Sequence, residues 1–253
     1  MLTVPATVVC AFLMVLVRMT GVFVFVPLPV SEAGPSQLRI MIALACTVAL
    51  YPRWPATTLP SGMGEMFVWM ISEAALGISI GLAVSFISES LTVGAQMLSL
   101  QAGYGFASVV DPVTNADSGV LLIVAQLTAG LLFFATGMDH QVIQAFAWSL
   151  DKYPPGAFTI AHSAARMLIQ LGTGIFVVGL RIALPIIGLM LMTDIALALL
   201  GRINSQLHLI SLAFPAKMLL ALAMLSTVLI VFPSLYSSFA SQVFGALRVI
   251  VGR

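Results

Sequence analysis

The chain has 253 residues, of which 60% are hydrophobic and 8% are charged, and its formal net charge is +1. A soluble domain carries about 25% charged residues, so this composition excludes an ordinary water-soluble fold. The small net charge gives no indication of nucleic-acid binding. We therefore predict an all-α integral membrane protein that forms one helical domain over residues 1–253.

Six apolar segments follow one another along the chain, near residues 6–30, 36–51, 66–88, 118–138, 167–200 and 212–233. Crossing a bilayer takes ~20 apolar residues. The second segment has only about 12 residues between Ile40 and the proline at position 52, so its helix reaches ~18 Å against ~30 Å of hydrocarbon. Some segments are therefore predicted to be helical hairpins packed against partners, and not spans that face lipid.

Charged residues interrupt several of these segments. Arg18 lies in the first segment, Glu73 in the third, and Arg181 and Asp194 in the fifth. A charge at the centre of the hydrocarbon costs ~2.5–3.5 kcal/mol on insertion scales, so we expect these groups to be shielded from lipid. The charges predicted to pair between helices or between subunits are Arg18, Glu73, Glu89, Arg181, Asp194 and Arg202.

Glu73 begins a stripe in which Gly77, Gly81, Ser85 and Glu89 follow at intervals of four residues. On a helix such residues share one face, and small residues there let another backbone approach closely. Helix packing is the favoured interpretation. A proton or ion site at Glu73 is the alternative, although an arginine, a lysine or a backbone donor of a partner subunit would explain the carboxylate equally well.

The fifth segment leaves a second choice open. Arg181 and Asp194 lie about 140° apart around a straight helix, which makes them poor partners, whereas Asp194 and Arg202 lie closer to one face. We favour a structural ion pair within an assembly. A charge that couples transport is the alternative.

The stretch at residues 89–112, ESLTVGAQMLSLQAGYGFASVVDP, contains neither Lys nor Arg and is interrupted by Gly94, Gly103 and Gly105. Polar groups left unpaired in hydrocarbon are costly, and irregular backbone is tolerated at membrane depth where it lines or blocks an enclosed passage. The stretch therefore indicates a role in a pore or in translocation. We predict that residues 103–112 are bent or non-helical.

The sequence shows no catalytic or metal-binding constellation. His140, His162 and His208 are scattered, and no Cys or carboxylate joins them at ligand spacing. No nucleophile motif accompanies Asp139 and His140. We therefore predict no enzymatic activity, no metal and no cofactor. Residues 234–253 have an amphipathic pattern that suits an interface or a partner.

Several strings together resemble the FliR family, flagellar biosynthesis proteins of the type III secretion export gate, whose injectisome relatives are similar. GAQMLSLQAGYGFASVVDP at 94–112 is the specific string. The others are RMTGVFVFVP at 18–27, the E-x-x-x-G that begins at Glu73, GLRIALPI at 179–186, DIALALLGRINSQL at 194–207 and AFPAKMLLAL at 213–222.

This resemblance implies an export-gate fold of tilted helical hairpins, similar to a FliP-like and a FliQ-like subunit fused in one chain. The implied partners are FliP-like and FliQ-like subunits in a hetero-oligomeric core complex, FlhB-like and FlhA-like components, unfolded export substrates and membrane lipid. The implied location is the flagellar basal body in the bacterial inner membrane.

The resemblance also implies a plug in a loop at about residues 101–118, with Phe106 as its apolar stopper. The plug residues are Gly103, Tyr104, Gly105, Phe106, Val109, Val110, Asp111 and Pro112.

Three alternatives stay open. A small secondary transporter would use Glu73, Arg181 and Asp194, although such proteins usually carry an internal repeat and none is found here. An injectisome export-gate subunit would share the same strings. A membrane-embedded enzyme has no catalytic constellation to support it. A transporter would function without FliP-like and FliQ-like partners, so co-purification separates it from a gate subunit.

Overall fold

The computed structural model describes residues 5–27, 37–56, 59–103, 120–158, 162–203 and 209–251, and all regular secondary structure within these ranges is helical. A short 3₁₀ turn covers Tyr51–Arg53. The α-helices are α1 (Ala6–Phe25), α2 (Gln37–Ala49), α3 (Met63–Ala102), α4 (Val120–Ala135), α5 (Met138–Lys152), α6 (His162–Ile203) and α7 (Leu209–Val251). The prediction of an all-α membrane protein is confirmed.

Among the described residues, three helical stretches are long and apolar enough to cross a membrane, namely Ala6–Phe25, Met63–Ala102 and Ala164–Ile203. Two bent pairs raise the number to as many as five. Helices α4 and α5 meet at 65°, where Gly137 takes a left-handed φ of 68°. The two halves of α7 meet at 61°, next to Pro233, which lacks the N–H that a straight helix needs. Helix α2 has 13 residues and is too short to cross.

The first part of the glycine-interrupted stretch is regular helix. Helix α3 continues through Glu89 and Gly94 to Ala102 and is 40 residues long. Gly94 serves packing, because a Cβ at this position would come within 3.2 Å of the carbonyl oxygen of Gly179 on α6. Helix α7 similarly continues to Val251, so the amphipathic C-terminal segment is the end of a longer helix.

The chain divides into two compact units. Unit 1 comprises Met1–Ile87, Phe133–Gly172 and Ala240–Arg253, and unit 2 comprises Ser88–Leu132 and Thr173–Phe239. Unit 2 has a core of buried apolar side chains from α3, α4, α6 and α7. They are Leu98, Ala102, Leu121, Ala183, Ile186, Met190, Ala221 and Leu225.

Candidate functional site

The crossing of α1 and α3 in unit 1 depends on glycines. A Cβ added to Gly77 would collide with the backbone carbonyl of Arg18, and one added to Gly81 would lie 2.5 Å from the carbonyl oxygen of Val22. The two helix backbones therefore approach as closely as small residues allow. This confirms the packing interpretation of the stripe, and it brings the side chain of Arg18 next to Glu73.

Arg18 and Glu73 form an ion pair that is almost fully removed from solvent. The distance from Arg18 Nε to Glu73 Oε2 is 2.5 Å, and the two side chains are 0% and 1% exposed. The other carboxylate oxygen, Oε1, accepts a hydrogen bond of 3.3 Å from the backbone N–H of Gly156. A buried charge needs a partner and further hydrogen bonds, and Glu73 has both.

Arg18 also binds the C-terminal end of α5. Its Nη1 donates to the carbonyl oxygen of Ser149 at 2.7 Å and to the Ser149 hydroxyl at 3.1 Å. Its Nη2 donates to the carbonyl oxygen of Tyr153 at 3.0 Å. The carbonyl oxygen of Ser149 also accepts the backbone N–H of Tyr153, and the last carbonyls of a helix form the negative end of its dipole. One guanidinium therefore joins α1, α3 and the end of α5.

The turn after α5 is fixed by a glycine. Gly156 has a φ of 78°, and a Cβ there would collide with the indole ring of Trp69 on α3. The hydroxyl of Ser72, one residue before Glu73, donates to the carbonyl oxygen of Phe158 at 2.7 Å. Only glycine combines this left-handed conformation with the space under the ring, so the turn stays bound to α3.

The surroundings of Glu73 indicate a structural role. Arg18 and Gly156 engage its two oxygens, and no buried side-chain N or O atom lacks a partner in the part of the chain that the structure describes. The sequence left the partner of Glu73 open because Arg18 is 55 positions away. The available signal was a pair of opposite charges in two apolar segments, one of which carries a glycine stripe.

The charges of α6 are arranged differently in unit 2. Asp194 pairs with Lys217 of α7, with side chains 37% and 17% exposed, and not with Arg202 as the helix spacing suggested. Arg181 and Arg202 are exposed on the isolated chain, as is Glu89 on α3. Sequence reasoning missed Lys217, which lies on the next helix and follows no spacing rule with Asp194.

Of the eight predicted plug residues, only Gly103 lies within the described ranges. It follows the last residue of α3, has a φ of 83°, and donates its N–H to the carbonyl oxygen of Leu100 at 3.2 Å. A left-handed glycine directly after a helix is a common helix stop. The residues outside the described ranges are Tyr104, Gly105, Phe106, Val109, Val110, Asp111 and Pro112.

Large apolar side chains remain exposed on α6. In its most apolar window only 28% of the residues are buried, and Phe176, Leu180 and Leu184 are among the exposed ones. A contiguous apolar surface of this kind faces lipid or another protein. No three His, Cys, Asp or Glu side chains within the described ranges come together to hold a metal ion.

Comparison with known proteins gives a consistent result. The family of bacterial export proteins, family 1, matches residues 9–243. The chain is 25% identical to the flagellar biosynthetic protein FliR of Escherichia coli, over 93% of this chain and 90% of that protein. It is 27% identical to the protein of the same name from Pectobacterium carotovorum, with the same coverage. It is 26% identical to that of Caulobacter vibrioides, over 77% of this chain and 78% of the relative. Because the family match extends over nearly the whole chain, this chain belongs to the bacterial export proteins of family 1, the FliR family.

Proposed function

We propose that this membrane-embedded component of the flagellar export apparatus is a non-enzymatic subunit of the type III protein-export channel. It would close the core complex and contribute a plug or gate for unfolded substrates. The observation that carries the proposal is the similarity to proteins named flagellar biosynthetic protein FliR along 93% of the chain. The location that follows is the basal body in the bacterial inner membrane.

Exposed charges on α6 support assembly with other subunits. Arg181 lies midway along a 42-residue apolar helix and is exposed on the isolated chain. An arginine facing hydrocarbon is costly, whereas a neighbouring subunit could offer it a carboxylate or backbone carbonyls. FliP-like and FliQ-like subunits are the proposed neighbours, with FlhB-like and FlhA-like components on the cytoplasmic side.

The end of α3 supports a plug. Helix α3 stops at Gly103, which has a left-handed conformation, at the position where the string GYGFASVVDP begins. A channel closes against ions when apolar side chains fill its narrowest part. Phe106 is the largest apolar side chain in this string, which makes it the proposed stopper.

The surroundings of the charges do not favour a secondary transporter. Such a mechanism would need Glu73 to exchange a proton or an ion, but Arg18 and Gly156 engage its carboxylate away from solvent. Asp194 is paired with Lys217. The relatives compared here are named as flagellar proteins, which favours the flagellar assignment over an injectisome.

Co-purification tests membership of the channel. The chain would be produced with an affinity tag, alone and together with the FliP-like and FliQ-like proteins of the same cell. We expect a low yield of the chain alone and a large, stable complex that contains all three proteins. A stable, functional chain that elutes alone in the presence of both candidate partners would contradict the proposal.

A further inference from the structure

Helix α2 has a buried side and, next to it, an exposed flank. Ala43 and Thr47 are fully buried on one face, where α2 packs against α1. The adjoining flank of α2 carries large exposed side chains at intervals of about four residues, which places them on one stripe. The exposed residues of this stripe, here called the α2 stripe, are Ile40, Leu44, Val48 and Tyr51.

The contacts of α2 set its direction relative to α1. Arg39, at the beginning of α2, donates from Nη1 to the carbonyl oxygen of Val24 near the end of α1, at 2.6 Å. Trp54, just beyond α2, packs against Phe12 in the first half of α1, with ring centroids 5.5 Å apart. The two helices are therefore antiparallel, and the α2 stripe lies on the side that α1 does not cover.

Aromatic and charged side chains gather at the C-terminal end of the α2 stripe. The rings of Tyr51 and Trp54 have centroids 5.0 Å apart. Arg53 forms an exposed ion pair of 3.1 Å with Asp151 at the end of α5, and Lys152 follows in sequence. Tyrosine and tryptophan are enriched at the boundary between membrane and water. Arg53 and Lys152 are two cations beside the single carboxylate of Asp151. The net positive charge of this group suits the anionic phosphates of lipid headgroups.

We propose that the α2 stripe contacts lipid acyl chains and that the turn Tyr51–Arg53, together with Trp54, lies at the headgroup level of one leaflet. A helix of 13 residues reaches ~20 Å, which is more than half of the ~30 Å hydrocarbon layer but not enough to cross it. Arg39 lies at the other end of α2, next to the C-terminal end of α1. The negative end of the α1 dipole there compensates the positive charge of Arg39. The short reach of this segment predicted a hairpin packed against a protein partner, but we favour lipid because the stripe ends in this aromatic and basic belt.

Spin labelling distinguishes lipid, water and protein at each position of the stripe. Single cysteines would replace Ile40, Leu44, Val48 or Tyr51 in a Cys10→Ala, Cys46→Ala background and carry a nitroxide. The full-length chain, with the subunits that co-purify with it, would be placed in vesicles of phosphatidylcholine and phosphatidylglycerol. Collision rates with oxygen, which concentrates in hydrocarbon, and with a water-soluble nickel chelate would then be measured. Gly62→Cys, in the exposed linker before α3, is the reference for contact with water.

We expect high collision rates with oxygen and low rates with the nickel chelate at Leu44 and Val48. The ratio of the two rates should fall stepwise from Leu44 through Val48 to Tyr51 as the label nears the headgroups. Low rates with both reagents at Leu44 and Val48 would show that protein covers the stripe and would overturn the proposal. High rates with the nickel chelate there would show contact with water and would also overturn it. The proposal rests on the membrane location and the α2 geometry alone, so its failure would leave the channel assignment intact.

Discussion

At the scale of single residues, Arg18 has the largest structural consequence, because one guanidinium binds Glu73 and two carbonyls at the end of α5. Removing one partner of a buried pair typically costs ~3–5 kcal/mol, because the other charge is left buried without a partner. We predict that Arg18→Met lowers the thermal unfolding midpoint of the purified complex, or abolishes its assembly. We predict that Arg18→Met combined with Glu73→Leu recovers part of the loss.

The matched control is Arg53→Met, which removes an ion pair that is more than half exposed on both sides. Exposed pairs contribute about 0–1 kcal/mol, so this variant should unfold close to the wild-type temperature. Equal stability of the Arg18→Met and Arg53→Met variants would show that the buried pair does not join the three helices.

At the scale of helices, the crossing of α1 and α3 requires Gly77, because a Cβ there would meet the backbone of Arg18 and not a flexible side chain. Overpacking of this kind costs ~1–3 kcal/mol. We predict that Gly77→Ala destabilises the chain. Gly188→Ala, within α6 where nothing lies within 4 Å of the added Cβ, should be neutral or stabilising by ~0.5–1 kcal/mol. Chemical denaturation of the two variants side by side makes the comparison. A Gly77→Ala variant as stable as Gly188→Ala would contradict the close crossing.

The helices also show what could be read from the sequence. The glycine stripe at Gly77 and Gly81 and the short reach of α2 follow from spacing and length, and both agree with the structure. The continuation of α3 through Gly94 could not be predicted from the neighbouring sequence. Gly94 packs against Gly179, some 85 residues later, where a side chain would not fit easily. The partner of Asp194 was missed for the same reason, since Lys217 lies on another helix.

At the scale of the whole molecule, the resemblance to the family rested on several strings, of which the glycine-rich one was the most specific, and it agrees with the match over residues 9–243. The resemblance also implies a plug, but seven of the eight candidate plug residues lie outside the described ranges. The described residue next to them is Gly103, which follows the end of α3 and has a left-handed conformation. A measurement of ion leak through the assembled complex therefore tests the role of Phe106.

Ion leak through the assembled complex tests the gating role of this chain most directly. Phe106→Ala, Phe106→Leu and the control Phe67→Ala, at an exposed position near the start of α3, would be compared for membrane conductance and complex yield in the same cells. The plug account predicts a normal yield for all three, a clear leak for Phe106→Ala, and little leak for Phe106→Leu or Phe67→Ala, because leucine still fills an apolar constriction. An intact Phe106→Ala complex that does not leak would contradict the account. Loss of the complex would contradict it as well, because a buried Phe→Ala change costs ~3–5 kcal/mol where the ring packs between helices.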